Sequence, residues 1–180
     1  MKKSFFMLFL IPGLLSCAHN DNKARSENLI KKEVLDVAIK YARDKFKEPK
    51  ETVAKDGIVT VVEKQVNYVT SNAYQIRYVI DPSKIVIGLI DDDENEDAII
   101  TISLFNGYTE MPESLILIKT DGKMVLNRSI EADMRIIGIK DRVITAEVFT
   151  RSRNSPLRNC SSCKEVVKYK YRMGDLVRIE

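Results

Sequence analysis

Residues 115–127, LILIKTDGKMVLN, are two apolar runs turned back on each other at Asp121-Gly122. A two-residue hairpin needs positive φ at both central positions, which Asp-Gly accepts at little cost. Working outward, Ile100, Ile102 and Leu104 alternate with Thr101 and Ser103, and Val167, Tyr169 and Tyr171 alternate with Lys168 and Lys170. A period of two marks a half-buried strand, and a sheet with one wet face reads this way. Further β-rich runs lie at 58–62, 74–80, 84–90, 135–139, 143–150 and 176–179. Connectors such as Asp81-Pro82-Ser83, Lys140-Asp141 and Gly174-Asp175 are too short for parallel crossovers, so antiparallel pairing is expected.

Upstream the period changes. Ile30, Val34, Val37, Ala38, Tyr41 and Ala42 recur every three or four residues, with Ser26 able to cap the start and Pro49 to stop the run. This predicts a helix over 27–48. Acidic residues among its lysines favour the solvated face of a packed helix over a membrane-surface helix. The expected fold is α+β: an N-terminal helix packed on a curved, mainly antiparallel β-sheet or partial barrel, forming a single domain over 27–180, with the β-rich part at 57–180.

The first residues carry an address. Lys2 and Lys3 precede an apolar stretch, Phe5 to Leu15, broken only by Pro12 and Gly13. That is the layout of a secretory signal, and it is too short for a span of about 20 apolar residues. Leu14-Leu15-Ser16-Cys17 resembles the lipobox of bacterial lipoproteins. The resemblance implies removal of residues 1–16, lipidation of Cys17 and attachment to a membrane of the cell envelope. Ala18, where an aspartate would signal inner-membrane retention, implies the outer membrane in a Gram-negative cell. Residues 17–26, polar and poor in aliphatics, read as a flexible tether.

Cleavage would leave 164 of the 180 residues, enough for one domain with a real core. Lys2 and Lys3 would leave with the signal, so 27 basic residues would face 26 acidic ones. That balance implies no nucleic-acid partner.

Between two predicted strands runs Asp91-Asp92-Asp93-Glu94-Asn95-Glu96-Asp97. From about Gly88 to Glu180 the pattern resembles a group of uncharacterised secreted bacterial proteins, and more distantly the FG-GAP calcium loops. The resemblance implies Asp91, Asp93 and Asp97 as calcium ligands, since alternate hard oxygens can wrap Ca²⁺. Leu89 and Glu94 depart from it, standing where the pattern has an acid and a glycine. The other reading is a solvated acidic turn. Without a cation such carboxylates repel, so the turn should be mobile or lean on a nearby Lys or Arg.

With Cys17 lipidated, Cys160 and Cys163 remain, an even number in an oxidising compartment. A loop disulfide, a redox pair and half a metal site are the three readings. The flanking Asn154-Ser155-Pro156 favours a loop over the helix N-terminus that redox cysteines use. Around them Arg151, Arg153, Arg158 and Lys164 form a basic loop. Arginine forks suit phosphate or carboxylate, so lipid head groups, an acidic partner or ion pairs with the acidic turn are the readings here.

The sole histidine, His19, lies in the expected tether. Hence histidine-based hydrolase triads and zinc hydrolase sites are excluded from the domain. No Gly-rich phosphate loop or organic-cofactor motif occurs. The expected function is a non-catalytic envelope lipoprotein, acting through another envelope protein as an interaction or assembly module. The alternative is a calcium-dependent binding module using 91–97. A carboxylate-based hydrolase ranks last, and no cofactor other than Ca²⁺ is implied.

Overall fold

The computed structural model describes residues 16–47, 50–63, 76–106, 109–149 and 163–179. Among these residues one α-helix, α1 (Ser16–Lys45), precedes eleven strands, with a single 3-10 turn at Pro82–Lys84. These are β1 (Lys50–Lys55), β2 (Ile58–Glu63), β3 (Ile76–Ile80), β4 (Ile85–Gly88), β5 (Asp97–Asn106), β6 (Glu110–Thr120), β7 (Lys123–Glu131), β8 (Met134–Lys140), β9 (Val143–Phe149), β10 (Lys164–Arg172) and β11 (Asp175–Arg178). Every pairing is antiparallel.

The strands do not close into a barrel or form one curved sheet. They make two open sheets: β1-β2-β3-β5-β6-β7 with β4 also on β5, and β11-β10-β9-β8. The helix covers one face of the first sheet, where Ile30, Val34, Ala38 and Ala42 meet Val61, Ile80, Ile100, Ile102, Leu115 and Leu117. The second sheet covers the other, where Met134, Ile136, Ile144 and Ala146 meet Ile99, Ile116 and Ile118.

The cause is legible in the chain. Ile99-Ile100 and Leu115-Ile116-Leu117-Ile118 are continuous apolar runs, and such strands must be buried on both faces. Fully burying each isoleucine contributes about 1.5–3 kcal/mol, so a bare second face would forfeit several such terms. Thr101 and Ser103, expected to face water, are buried too. Thr101 Oγ1 and Ser114 Oγ lie 3.2 Å apart across the ladder, and Ser103 Oγ donates to Glu110 Oε1 at 2.7 Å. Paired hydroxyls tolerate burial.

The residues expected to form a tether continue the helix instead. No Gly or Pro interrupts 16–45, and Glu27 and Lys31 pair at 2.7 Å one turn apart. Cys17 therefore lies in the first turn of α1. No helix among the described residues is long and apolar enough to cross a membrane.

Turn chemistry sets the four tight hairpins. Asp56-Gly57, Asp121-Gly122, Asp141-Arg142 and Met173-Gly174 all have positive φ at both residues, as the twist of paired strands requires. The first of these joins β1 to β2. β1 has no expected counterpart, because residues 51–55 are exposed on both faces and show no apolar alternation. The two sheets touch closely at Gly88, where an added Cβ would lie 2.7 Å from Ile139 Cγ2 and 2.8 Å from its Cβ.

Candidate functional site

The acidic segment joins β4 to β5 and is folded by its own side chains. Asp91 Oδ1 accepts the Asp93 N–H at 3.0 Å, and Asp93 Oδ1 accepts the Asn95 N–H at 2.7 Å. Successive turns of this kind are what aspartates form when they bond the backbone two residues on. Asn95 Nδ2 also donates to Asp93 Oδ2 at 2.7 Å. These bonds from Asn95 hold the Asp93 carboxyl below the ordinary range, with Arg142 adding a smaller pull.

Asp97 has a different task. It is fully buried. Its Oδ2 accepts the Ile90 N–H at 2.9 Å and the Asp91 N–H at 3.4 Å, while Oδ1 accepts the Lys119 N–H at 2.9 Å. The β5–β6 ladder ends at Ala98 and Leu117, so this side chain takes the Lys119 N–H on the β5 side, while Lys119 pairs with Met124 of β7 on the other. Burial pushes its pKa up, against the opposing pull of the Lys119 and Ile90 amides.

The third component is Arg142, in the β8–β9 turn. Its Nε donates to the Asp91 carbonyl at 2.6 Å, and Nη2 to the carbonyls of Asp93 at 2.9 Å and Asp92 at 3.4 Å. A guanidinium thus sits on the row of main-chain oxygens at the head of the acidic segment. Arg142 holds φ of 59° without being glycine, and its reach across the two sheets ties the β8–β9 hairpin to the loop.

Of the three aspartates expected to share an ion, Asp91 and Asp93 lie together and fold the turn, and Asp97 points inward onto backbone amides. Among the described residues no group of three or more His, Cys, Asp or Glu side chains is arranged to hold a metal ion. Arg142 is the functional residue that motif matching misses. The signal for it was electrostatic: a carboxylate run needs a cation, and Arg142 follows Asp141 at a predicted turn. Arg151, Arg153, Arg158 and Cys160 lie outside the described residues. Cys163 is half-buried just ahead of β10.

Two further polar features lie away from the acidic turn. Tyr41 donates to Glu113 Oε1, and Glu113 is buried beneath the helix C-terminal half. The Tyr78 ring meets Phe46 tilted, centroids 5.6 Å apart, and Tyr41 edge-on at 6.4 Å. Burial first, and the Glu113 carboxylate second, push both phenols up. Neutral hydroxyls facing a carboxylate make a clamp that fixes α1 on the sheet.

A cavity of about 340 Å³ lies between α1 and β4, lined by Lys23, Glu27, Lys31, Ile85, Ile87 and Glu96. The Lys31 hydrogen bond and charge hold Glu27 below its ordinary range.

The second sheet presents a different surface. Val167, Tyr169, Tyr171 and Leu176 turn inward, so alternation turns their neighbours outward. The outer face therefore shows Ile137, Phe149, Val166 and Val177, exposed by 45%, 39%, 63% and 43%. Lys164, Lys168, Lys170, Arg172 and Arg135 are interleaved with them. The carboxylates on that face include Glu147, which Arg135 and Lys164 bridge at 2.8 and 3.6 Å, and Asp175, which stands across from Arg172 and bridges Arg128 at 3.5 Å.

Fold and site together define an α+β domain of three layers, helix on sheet on sheet, with an arginine-closed acidic turn at one seam. No protein-family model, no curated protein and no solved structure matches the chain.

Proposed function

We propose that the chain is a non-catalytic lipoprotein of the cell envelope, anchored through lipid on Cys17, whose β-rich domain binds another envelope protein. The observation that carries this reading is the outer face of the second sheet. Four large apolar side chains stand exposed there, interleaved with charged ones, a mixture of apolar and charged groups that a partner protein's surface can cover. The signal-like leader and lipobox supply the address, with the outer membrane favoured by Ala18. A Cys160–Cys163 disulfide, formed after export, would close the loop that leads into β10.

The test is crosslinking in intact membranes followed by separation under denaturing conditions. A discrete adduct with a second, different protein supports the reading. Recovery of monomer alone across several crosslinker chemistries and lengths counts against it.

A calcium-dependent module is the second reading, favoured by the adjacency of Asp91 and Asp93. It requires Asp97 to turn outward and Arg142 to leave the carbonyls it holds. Calorimetry on chelator-stripped protein decides it: saturable heat that Asp93→Asn abolishes would move this reading ahead. The carboxylate hydrolase ranks below both, because the chain has no Trp and few aromatics to stack a sugar.

A further inference from the structure

We infer that β1 is the seam of a two-fold homodimer, joined edge to edge and antiparallel with β1 of a second copy, with Val53 opposite Val53. This contact goes beyond the docking of a different envelope protein proposed above and does not depend on it.

The outer edge of β1 offers a row of main-chain groups. Among the described residues β1 pairs only with β2, from Lys50 opposite Glu63 to Lys55 opposite Ile58. Asp56-Gly57 is a two-residue turn, and the pair that closes such a turn, Lys55 with Ile58, exchanges both of its main-chain bonds. Alternation then turns the bonds of Val53 and Glu51 toward β2 and those of Thr52 and Ala54 outward. The same rule applied to the Met173-Gly174 turn directs Ile179 at β10, and its N–H does donate to the Lys168 carbonyl at 2.9 Å. At the other end of the first sheet β7 carries the β10–β11 hairpin, where Arg128 donates to the Gly174 carbonyl at 3.0 Å and bridges Asp175 at 3.5 Å.

Geometry restricts how two such edges can meet. Opposed residues in an antiparallel pair are of one kind, so an outward residue must face an outward residue. The registers that overlap most of the strand are centred on Thr52, Val53 or Ala54. With Thr52 at the centre Glu51 meets Val53, and with Ala54 at the centre Val53 meets Lys55. With Val53 at the centre Glu51 meets Lys55, and the two-fold axis makes that opposite-charge pair twice. Thr52 then faces Ala54, also twice, and each such pair exchanges both main-chain bonds. Residues 51–55 are all exposed.

Charges on an edge strand usually keep other strands away. In β1 they differ in sign and stand on the face that also carries Val53, 46% exposed. A two-fold copy matches them and lays Val53 on Val53 at a non-hydrogen-bonded position, where side chains are closest. Arg43 of α1 donates to Thr52 Oγ1 at 2.8 Å, so the edge is held in place before a second copy arrives. β11, an end strand of the second sheet, lacks the match. Its outward residues are Leu176 and Arg178, and no register centred on Leu176, Val177 or Arg178 opposes charges of different sign. A seam of one six-residue strand is small, so the dimer should be weak and concentration-dependent.

The experiment is oxidative crosslinking of the full-length chain carrying Val53→Cys, in its own membranes, read by non-reducing electrophoresis and peptide mapping. Opposed residues at a non-hydrogen-bonded position lie about 4.5 Å apart between Cα atoms, inside the span of about 4.4–6.8 Å that a disulfide accepts. The expected product has twice the chain mass, is split by thiol and maps to a 53–53 link. Val177→Cys on β11, where the valine is similarly exposed at 43%, should give no 177–177 link. Glu51→Lys or Lys55→Glu alone sets like charges opposite each other twice and should lower the 53–53 yield by about tenfold. The two combined exchange the signs and should restore it.

Absence of a 53–53 link across a range of protein densities would overturn the inference. So would an equal yield of 177–177 links, which marks random collision of exposed thiols. A 53–53 yield indifferent to the single charge changes, or a combined variant no better than either one, would exclude this register and the inference with it. A disulfide from position 53 to a different protein would assign the edge to that partner and overturn the homodimer.

Discussion

Removal of the Asp97 carboxylate tests the structural core of the acidic turn. In Asp97→Ala the Ile90 and Lys119 amides, each held at 2.9 Å, lose their acceptor at a site closed to solvent. Each orphaned buried donor costs about 1–3 kcal/mol. The longer bond from Asp91 adds little, so the loss should total about 2–4 kcal/mol, with some of the upper range relieved by water entry. Asp97→Asn keeps one carbonyl acceptor and turns an amide donor toward the other N–H, so it should cost about half as much. Urea unfolding followed by circular dichroism reads both values from the midpoint. The pH dependence provides a second reading with a definite sign. Burial raises the Asp97 pKa above its ordinary 3.8, so the native state holds this proton more tightly than the unfolded chain. Its contribution to stability is greatest below the unfolded value and declines as pH rises through the raised native value, levelling above it. Asp97→Asn should remove that part of the slope. An alanine variant within about 0.5 kcal/mol of the parent would sink the argument, because such a loss is typical of surface sites.

Other perturbations probe the remaining joints. Gly88→Ala should destabilise by about 1–3 kcal/mol through its clash with Ile139, and pairing it with Ile139→Ala should recover part of the loss in the same unfolding assay. If the double variant is no better than the sum of the singles, the sheets are not in contact there. Arg142→Gln should cost about 1 kcal/mol and speed amide exchange across 91–95, since the guanidinium no longer binds three carbonyls. Unaltered exchange would show that the loop closes without it. Tyr41→Phe should lower thermal stability by about 1–2 kcal/mol by unpairing the buried Glu113 oxygen, and a neutral effect would remove the clamp from the account.

Local rules made most of the strands legible. Asp-Gly fixed the β6–β7 turn, and alternation located β5 and β10 with the correct inward residues on β10. The second sheet was harder to see. Period two within β5 alone places Thr101 and Ser103 toward solvent, whereas Ile99 and the run 115–118 require two covered faces. Hydroxyl pairing across the ladder settles that conflict, and it depends on a register no single strand displays. The helix start was obscured for a related reason: residues 17–26 are polar all round, so hydrophobic period cannot announce a helix there, and continuity with the packed turn at Ile30 carries it. At the acidic turn, the aspartate spacing was plain, but the partners of Asp97 and Arg142 are backbone groups at positions 119 and 91–93. Such long-range main-chain contacts leave no residue-type signature.

Intact-mass analysis of the protein extracted from membranes tests the central claim, an envelope module held by lipid on Cys17, most directly. The account predicts a chain that starts at Cys17, carries added acyl mass on that residue, and leaves the membrane fraction when Cys17→Ser is introduced. A chain that retains residues 1–16, or one that starts at residue 17 with an unmodified cysteine and sediments with the soluble fraction, would contradict it.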